Sequence, residues 1–232
     1  MLALSKHTYN PVTYPFRKIV QDMFQFPISL EAIHQFAEAN PQLTFESDTK
    51  SIWQRTFYDS PHYSTFRDAY YALVTTEIFK LFPDESSLVV QTDPCFRVCT
   101  PDNTALGLRA GDVDEQIGLH CDAEYNHPAE ELNFIVGITD LWESNSVYIE
   151  SEPHKGDFTP LSLRFSEYAM FWGNRCRHFN RKNTTGFSRV SIDFRVIPFS
   201  KYNPDYELSS VHGNRKFLIG DYFTRIDRPT VI

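Results

Sequence analysis

Nothing in this sequence offers a nucleic acid a basic stripe. Thirty Asp and Glu outweigh 22 Lys and Arg for a net charge of −8, and nucleic-acid binding needs clustered positive charge. No apolar run reaches the length that crosses a bilayer, and Met1 to His7 is too short in apolar residues for a signal-peptide core. There are only four cysteines, Cys95, Cys99, Cys121 and Cys176, with no Cys-x-x-Cys pair, so a zinc ribbon is excluded. Reduced thiols in a cytoplasm are the expectation that follows. Glycine-rich phosphate loops, Gly-x-Ser-x-Gly elbows, repeats and low-complexity tracts are all missing. These absences remove the common nucleotide-dependent and serine-nucleophile classes.

What is present is a change of grammar along the chain. A length of 232 residues predicts one domain with a sizeable core. Residues 1 to 28, with Pro11, Pro15 and Pro27, read as an extended lead-in. Ser29 opens an expected helix over Leu30 to Ala39, apolar at Leu30, Ile33, Phe36 and Ala37. Phe66, Tyr70, Leu73, Val74, Ile78 and Leu81 recur at helical spacing up to Pro83. From Ser87 short β-rich runs follow: 88–91, 95–99, 132–138, 146–150 and 187–199, with turns between them and a loop to Gly111. The fold expected is mainly β, a sandwich or jelly roll with helices packed on the sheet. Residues 1–85 are helical decoration, 86–199 the core and 200–232 a polar tail packed back on the core or a partner chain, with no evident chemistry.

Within the β region lies Gly118-Leu119-His120-Cys121-Asp122. On an extended strand, residues two apart face the same way, so His120 and Asp122 make half a metal site and Cys121 points into the core. His178 supplies the other half. Two imidazoles and one carboxylate on one side of an ion leave the opposite positions open, as in the facial triad of non-haem Fe(II) oxygenases. Eleven residues beyond His178 comes Arg189, then Ser191 on the same strand face. A guanidinium fork beside a hydroxyl suits bidentate capture of a carboxylate.

This ordered set, His-x-Asp, distal His and Arg-x-Ser, resembles the Fe(II)- and 2-oxoglutarate-dependent oxygenase superfamily. The wider run from Leu119 to His127, through Asn133, Asn145-Ser146 and Asn183 to Ser191, ending at Asp193-Phe194-Arg195, looks like its streptomycin-biosynthesis StrG-like subgroup. The resemblance implies a cupin-like double-stranded β-helix with Fe(II) on His120, Asp122 and His178. It implies 2-oxoglutarate as co-substrate, held by Arg189 and Ser191, and O2 as oxidant. The activity implied is hydroxylation, desaturation or ring closure on a small metabolite, with release of succinate and CO2. Halogenases of the superfamily replace the carboxylate ligand with a small residue, and Asp122 therefore favours oxygen transfer.

Other polar residues flank these segments. Arg195 shares the nominal face of Arg189, and competes with it as co-substrate anchor or pairs with Asp193. Asn133, on a strand between apolar neighbours, needs a polar partner, either co-substrate or backbone. Gln91, Arg97, Tyr125, His127, Asn145, Ser146, Asn180 and Asn183 are candidates for substrate contact or for simple turn chemistry, with an ion pair as the alternative for Arg97. The partners expected are a small-molecule substrate and, at most, a second copy of the chain, with neither nucleic acid nor membrane. A non-oxidative metal- or sugar-binding cupin and a protein-side-chain hydroxylase are the alternative functions.

Overall fold

The computed structural model describes residues 4–25, 29–39, 52–104, 114–211 and 213–229. Among the described residues, four α-helices, α1 (Phe16–Phe24), α2 (His34–Ala39), α3 (Ile52–Tyr58) and α4 (Tyr63–Thr76), precede most of the strands. The strands are β1 (Ser5–Thr8), β2 (Ser87–Gln91), β3 (Cys95–Cys99), β4 (Ile117–His120), β5 (Leu132–Gly137) and β6 (Val147–Ile149). They continue with β7 (Thr159–Pro160), β8 (Glu167–Phe171), β9 (His178–Asn180), β10 (Arg189–Pro198) and β11 (Phe223–Asp227). A seven-stranded sheet runs β1-β8-β5-β10-β2-β11, with β3 also on β10, and a four-stranded sheet runs β4-β9-β6-β7. Among the described residues, all strand pairings within both sheets are antiparallel.

The ten-residue β10 explains the layering. Its even positions, Val190, Ile192, Phe194 and Val196, are fully buried in a core shared with Phe16, Phe66 and Tyr70 of the helices. The Tyr70 and Phe194 rings meet edge-on at 4.9 Å. Burying each such side chain is worth roughly 1.5–3 kcal/mol, so this face fastens the helices to the large sheet. Its odd positions, Arg189, Ser191, Asp193 and Arg195, point by strand alternation to the opposite face. In register beside them lie Gly137, Ile135 and Asn133 of β5, and Cys99, Arg97 and Cys95 of β3. The small sheet covers that polar face, and a second core of Ile135, Val147, Ile149, Ala169, Phe171 and Cys176 joins the two sheets.

Several expectations change. The extended lead-in contains α1, whose Phe16, Ile19, Val20, Met23 and Phe24 are buried at helical spacing; Pro15 stands just before the helix, where its missing N–H costs nothing. The expected helix from Leu30 divides into a 3-10 turn, Leu30–Ala32, and α2. The long helix likewise yields after Thr76 to a 3-10 turn, Ile78–Leu81. The loop expected up to Gly111 and the Pro41 stop lie largely outside the described residues. The tail is not inert: β11 pairs with β2, and Phe217, Tyr222 and Phe223 pack with Val89 and Ile197. All four cysteines are free, and among the described residues no helix is long and apolar enough to cross a membrane.

Candidate metal centre and its two cavities

His120 ends β4 and His178 begins β9, and the two are cross-strand partners, with ring centroids 4.4 Å apart. Asp122 reaches them from the 3-10 turn Asp122–Tyr125 that follows β4, not from the strand itself. Alternation along an extended strand is therefore not what aims it. Its backbone N–H is held by the Gly173 carbonyl at 2.9 Å, and its Oδ1 lies 3.4 Å from His120 Nε2 and 3.5 Å from His178 Nε2. One donor atom from each residue falls within 4.8 Å of the others. Cys121 is half-buried, with Sγ 3.6 Å from Glu124 Oε1, and not in the core as expected.

The tautomers suit a metal. His120 Nδ1 is 2.5 Å from the Gly118 carbonyl and His178 Nδ1 3.1 Å from the Cys176 carbonyl. A carbonyl only accepts, so each Nδ1 carries the proton and each Nε2 presents its lone pair. Burial pushes the His178 imidazole below its ordinary pKa, although Asp122 opposes this. Burial alone would push the Asp122 carboxyl up, but Arg195, with His120 and His178, holds it well below the usual carboxylate range. Neutral imidazoles and an ionised carboxylate are what a divalent cation requires.

Asp122 Oδ2 is bound away from this cluster. It accepts from Asn133 Nδ2 at 2.7 Å and from Arg195 Nη2 and Nε at 3.1 and 3.3 Å. Arg195 Nη1 donates to Asp193 Oδ2 at 2.5 Å, and Arg97 Nε donates to Asp193 Oδ1 at 2.8 Å. The result is a row of alternating charge, Arg97–Asp193–Arg195–Asp122, half-buried at Arg97 and Asp193 and buried at Arg195 and Asp122. Arg195 thus takes the Asp193 pairing, and Asn133 finds its polar partner in Asp122. Both were candidates for the co-substrate, and the hydrogen bonds described for them go instead to these carboxylates. Asn133 Oδ1 is buried and without a partner.

Two cavities meet at the triad. The inner one, about 90 Å³, is lined by His120, His178, Asn133, Ile135, Val147, Phe171, Asn180, Arg189, Ser191 and the Arg97–Asp193–Arg195 row. That is several times the roughly 10–15 Å³ one water needs. Arg189 is only 4 % exposed. Its Nε has no hydrogen-bond partner, and among the described residues no carboxylate lies within salt-bridge reach of it. Burial pushes its pKa down. Ser191 stands beside it on the same face, and Asn180 Oδ1 is likewise buried and unpartnered.

The outer cavity, about 770 Å³, is lined by His120, Asp122, Tyr125, His127, Gln91, Arg97, Arg195, Tyr58, Asp59, Tyr63 and Asp93. Ser210, Arg215 and Tyr222 of the tail complete it. Gln91, Arg97, Tyr125 and His127 thus stand on a wall, and the Tyr125 ring meets His120 edge-on at 4.8 Å. Asn145, Ser146 and Asn183 line neither cavity. Asn145 Oδ1 accepts the Trp142 N–H at 2.8 Å, and Ser146 Oγ donates to the Leu161 carbonyl. Asn183 Nδ2 donates to the Cys99 and Phe187 carbonyls at 3.0 and 2.8 Å. These three fasten loops, the turn chemistry that Asn and Ser perform by default.

Four residues escaped the sequence reading as parts of the site: Asp193, Gly173, Asn174 and Glu131. Asp193 carries the charge row. A Cβ on Gly173 would lie 2.5–2.6 Å from the Asn133 side chain, so only glycine leaves room for that amide. Asn174 Nδ2 ties down the His127 and Pro128 carbonyls at 2.9 and 3.0 Å. Glu131, wholly buried, lies 2.7 Å from His127 Nδ1; burial pushes its carboxyl up against the pull of His127. The one available signal was charge within a β-rich run, which demands a partner but does not say which.

No protein-family profile matches the chain. The streptomycin biosynthesis protein StrG of Streptomyces griseus is 27 % identical over 227 residues, covering 96 % of this chain and all of that one. Among solved structures, the non-haem α-ketoglutarate-dependent carbocyclase SnoK of nogalamycin biosynthesis superposes with a TM-score of 0.50 at 9 % identity, over 97 % of this chain and 92 % of SnoK. HygX of Streptomyces hygroscopicus, solved with nickel and 2-oxoglutarate, gives 0.47 at 10 % identity, over 85 % and 83 % of the two chains. By sequence, then, the chain is a relative of StrG along nearly its whole length, and by fold it resembles a non-haem α-ketoglutarate-dependent enzyme.

Proposed function

We propose that this protein is an Fe(II)- and 2-oxoglutarate-dependent dioxygenase that oxidises an unactivated carbon of a small metabolite, with release of succinate and CO2. One observation carries the reading: Arg189, a buried cation with no carboxylate in salt-bridge reach among the described residues and an unpartnered Nε, lines the cavity that His120 and His178 also line. A buried charge costs several kcal/mol unless it is paired, so the site is built for an anion that arrives from outside. Arg189 and Ser191 would hold the distal carboxylate of 2-oxoglutarate, while Ile135, Val147 and Phe171 line the same cavity as apolar surface for its methylenes. His120, Asp122 and His178 fit the metal by donor type and tautomer, three protein ligands leaving room for the keto-acid end and for dioxygen. When bound, iron and co-substrate supply the oxidising power for breaking a C–H bond. The residues of the chain bind, orient and exclude bulk water; Asn133 and Arg195 position Asp122.

The two facing sheets are read as a double-stranded β-helix, one catalytic domain with its helices and tail as walls. An outer cavity of about 770 Å³ falls in the size range of small-molecule sites, which favours a metabolite over a protein side chain. The test is succinate formation from 2-oxoglutarate with Fe(II) and ascorbate. The oxygenase should turn 2-oxoglutarate over, and Arg189→Ala should raise its KM by one to two orders of magnitude, the loss expected for an unpaired charged contact of roughly 1.5–3 kcal/mol. A protein that binds metal and never consumes 2-oxoglutarate would be a non-oxidative cupin.

A further inference from the structure

We propose that the outer cavity takes a substrate bearing a cationic nitrogen, an ammonium or guanidinium group, and that Asp93 and Asp59 hold it. The inference deepens the oxygenase reading and rests on it for the identity of the site. It begins with the charges on the wall. Three arginines line the cavity, and each is already paired: Arg97 with Asp193 at 2.8 Å, Arg195 with Asp122 at 3.1 Å, Arg215 with Asp221 at 3.0 Å. Among the described residues that line it, the cavity therefore offers an incoming carboxylate no arginine without a carboxylate partner.

The acceptors are in the opposite condition. Asp59 has no side-chain partner among the described residues. Asp93 Oδ1 accepts from Tyr63 Oη at 2.8 Å, Arg67 comes no nearer than 4.0 Å from a well-exposed position, and Oδ2 has no hydrogen-bond partner among the described residues. Gln91, 4 % exposed, points the same way independently. Its Nε2 donates to the Asp93 carbonyl at 2.8 Å and approaches Cys95 Sγ at 3.3 Å. That fixes the amide, because the flipped group would set oxygen against oxygen. Oε1 is left buried and without a partner on a residue of the cavity wall. Two carboxylates and an orphaned amide oxygen are all acceptors, and what satisfies them is a donor-rich cation. The rings of Tyr58 and Tyr63, 5.4 Å apart on the same wall, add faces that attract positive charge.

The experiment is saturation-transfer NMR on the purified chain with four probes: glucosamine, N-acetylglucosamine, glucose and glucuronic acid. Glucosamine should bind roughly tenfold better than the neutral sugars, and added salt should erode that preference. Asp93→Asn and, separately, the exposed Asp59→Asn should each reduce it, while Glu152→Gln on the remote surface should not; circular dichroism checks that each variant is folded. Equal binding of all probes, a preference for glucuronic acid, no binding of glucosamine, or a preference that survives both substitutions would overturn the proposal. Succinate release by the iron-loaded wild type is followed in parallel. If 2-oxoglutarate is consumed and the cation preference is absent, the substrate class alone fails. If glucosamine is preferred and 2-oxoglutarate is never consumed, the oxygenase reading fails and the cation site stands.

Discussion

Arg195 grips one oxygen of Asp122, Oδ2, through two nitrogens at 3.1 and 3.3 Å, and leaves the other facing the two histidines. The carboxylate is thereby divided, Oδ2 for the protein and Oδ1 for a metal.

Removing that grip should cost metal before it costs fold. In Arg195→Met the burial of Asp122 is no longer offset by the guanidinium, so its carboxyl pKa rises and protons compete with the metal. Affinity for Co(II) should fall by roughly 10- to 100-fold, more steeply on the acid side, with Arg195→Lys between variant and wild type. A competition titration against a chromophoric chelator reads this directly, and unchanged affinity would mean that Arg195 only packs.

Arg189 predicts an unusual stability result. Without co-substrate it is a buried cation with no ion-pair partner among the described residues, so Arg189→Met should leave the melting temperature of the free protein unchanged or raise it. The wild type should gain stability with 2-oxoglutarate, approaching about 2.7 kcal/mol at a hundredfold excess over Kd, and the variant should gain well under that, about 0.4–1.4 kcal/mol at the same concentration. Thermal unfolding with and without 2-oxoglutarate checks both halves.

The charge row makes stability depend on pH in a stated direction. Burial would push Asp193 up, but Arg97 and Arg195 hold its carboxyl below the usual range. Its folded pKa is thus lower than its unfolded one, and the stability it contributes is complete above the unfolded value, about 3.9. That stability is lost as pH falls through the folded value. Asp193→Asn takes the carboxylate from Arg97 and leaves Arg195 with Asp122 alone, and should cost up to about 3 kcal/mol near neutrality. The gap from wild type should close as pH drops below about 4. Urea unfolding across a pH series measures it; a gap constant with pH would exclude the carboxylate charge as the cause.

Gly173→Ala is the most local test of the positioning shell. The new methyl must displace Asn133, which donates to Asp122 Oδ2 at 2.7 Å. Metal affinity should fall several-fold while helical and strand signals in circular dichroism persist.

How much of this was legible in the chain differs by interaction range. The short strands β2 and β3 could be read because Asp93-Pro94 punctuates two β-rich runs. The Arg-x-Ser could be read because strand spacing is a local property, and the triad because its residue types in that order resemble a known pattern, although Asp122 stands on a 3-10 turn and not on the expected strand. Gly173 could not, because its role is a contact with Asn133 that only the fold makes; Asp193 and Glu131 have partners close in sequence, Arg195 and His127, but the Arg97 contact that extends the row and the burial of Glu131 come from the fold. Arg195 was expected to hold the co-substrate or to pair with Asp193, and the Asp193 pairing is present; Asn133 was expected to meet the co-substrate or backbone, and no local pattern says that Asp122, 73 and 11 residues away from the two, would be a partner of both. The tail read as chemically silent for the same reason: Ser210, Arg215 and Tyr222 reach the outer cavity only after β11 closes on β2.

The most direct test of the central claim is an anaerobic titration of the Fe(II)-loaded protein with 2-oxoglutarate, followed by visible absorption. A weak pink-violet metal-to-ligand band should grow and saturate in the wild type, be absent in His178→Ala, and need far more co-substrate in Arg189→Ala. A wild type that binds iron and develops no such band, or an Arg189→Ala variant that saturates as readily as wild type, would contradict the account.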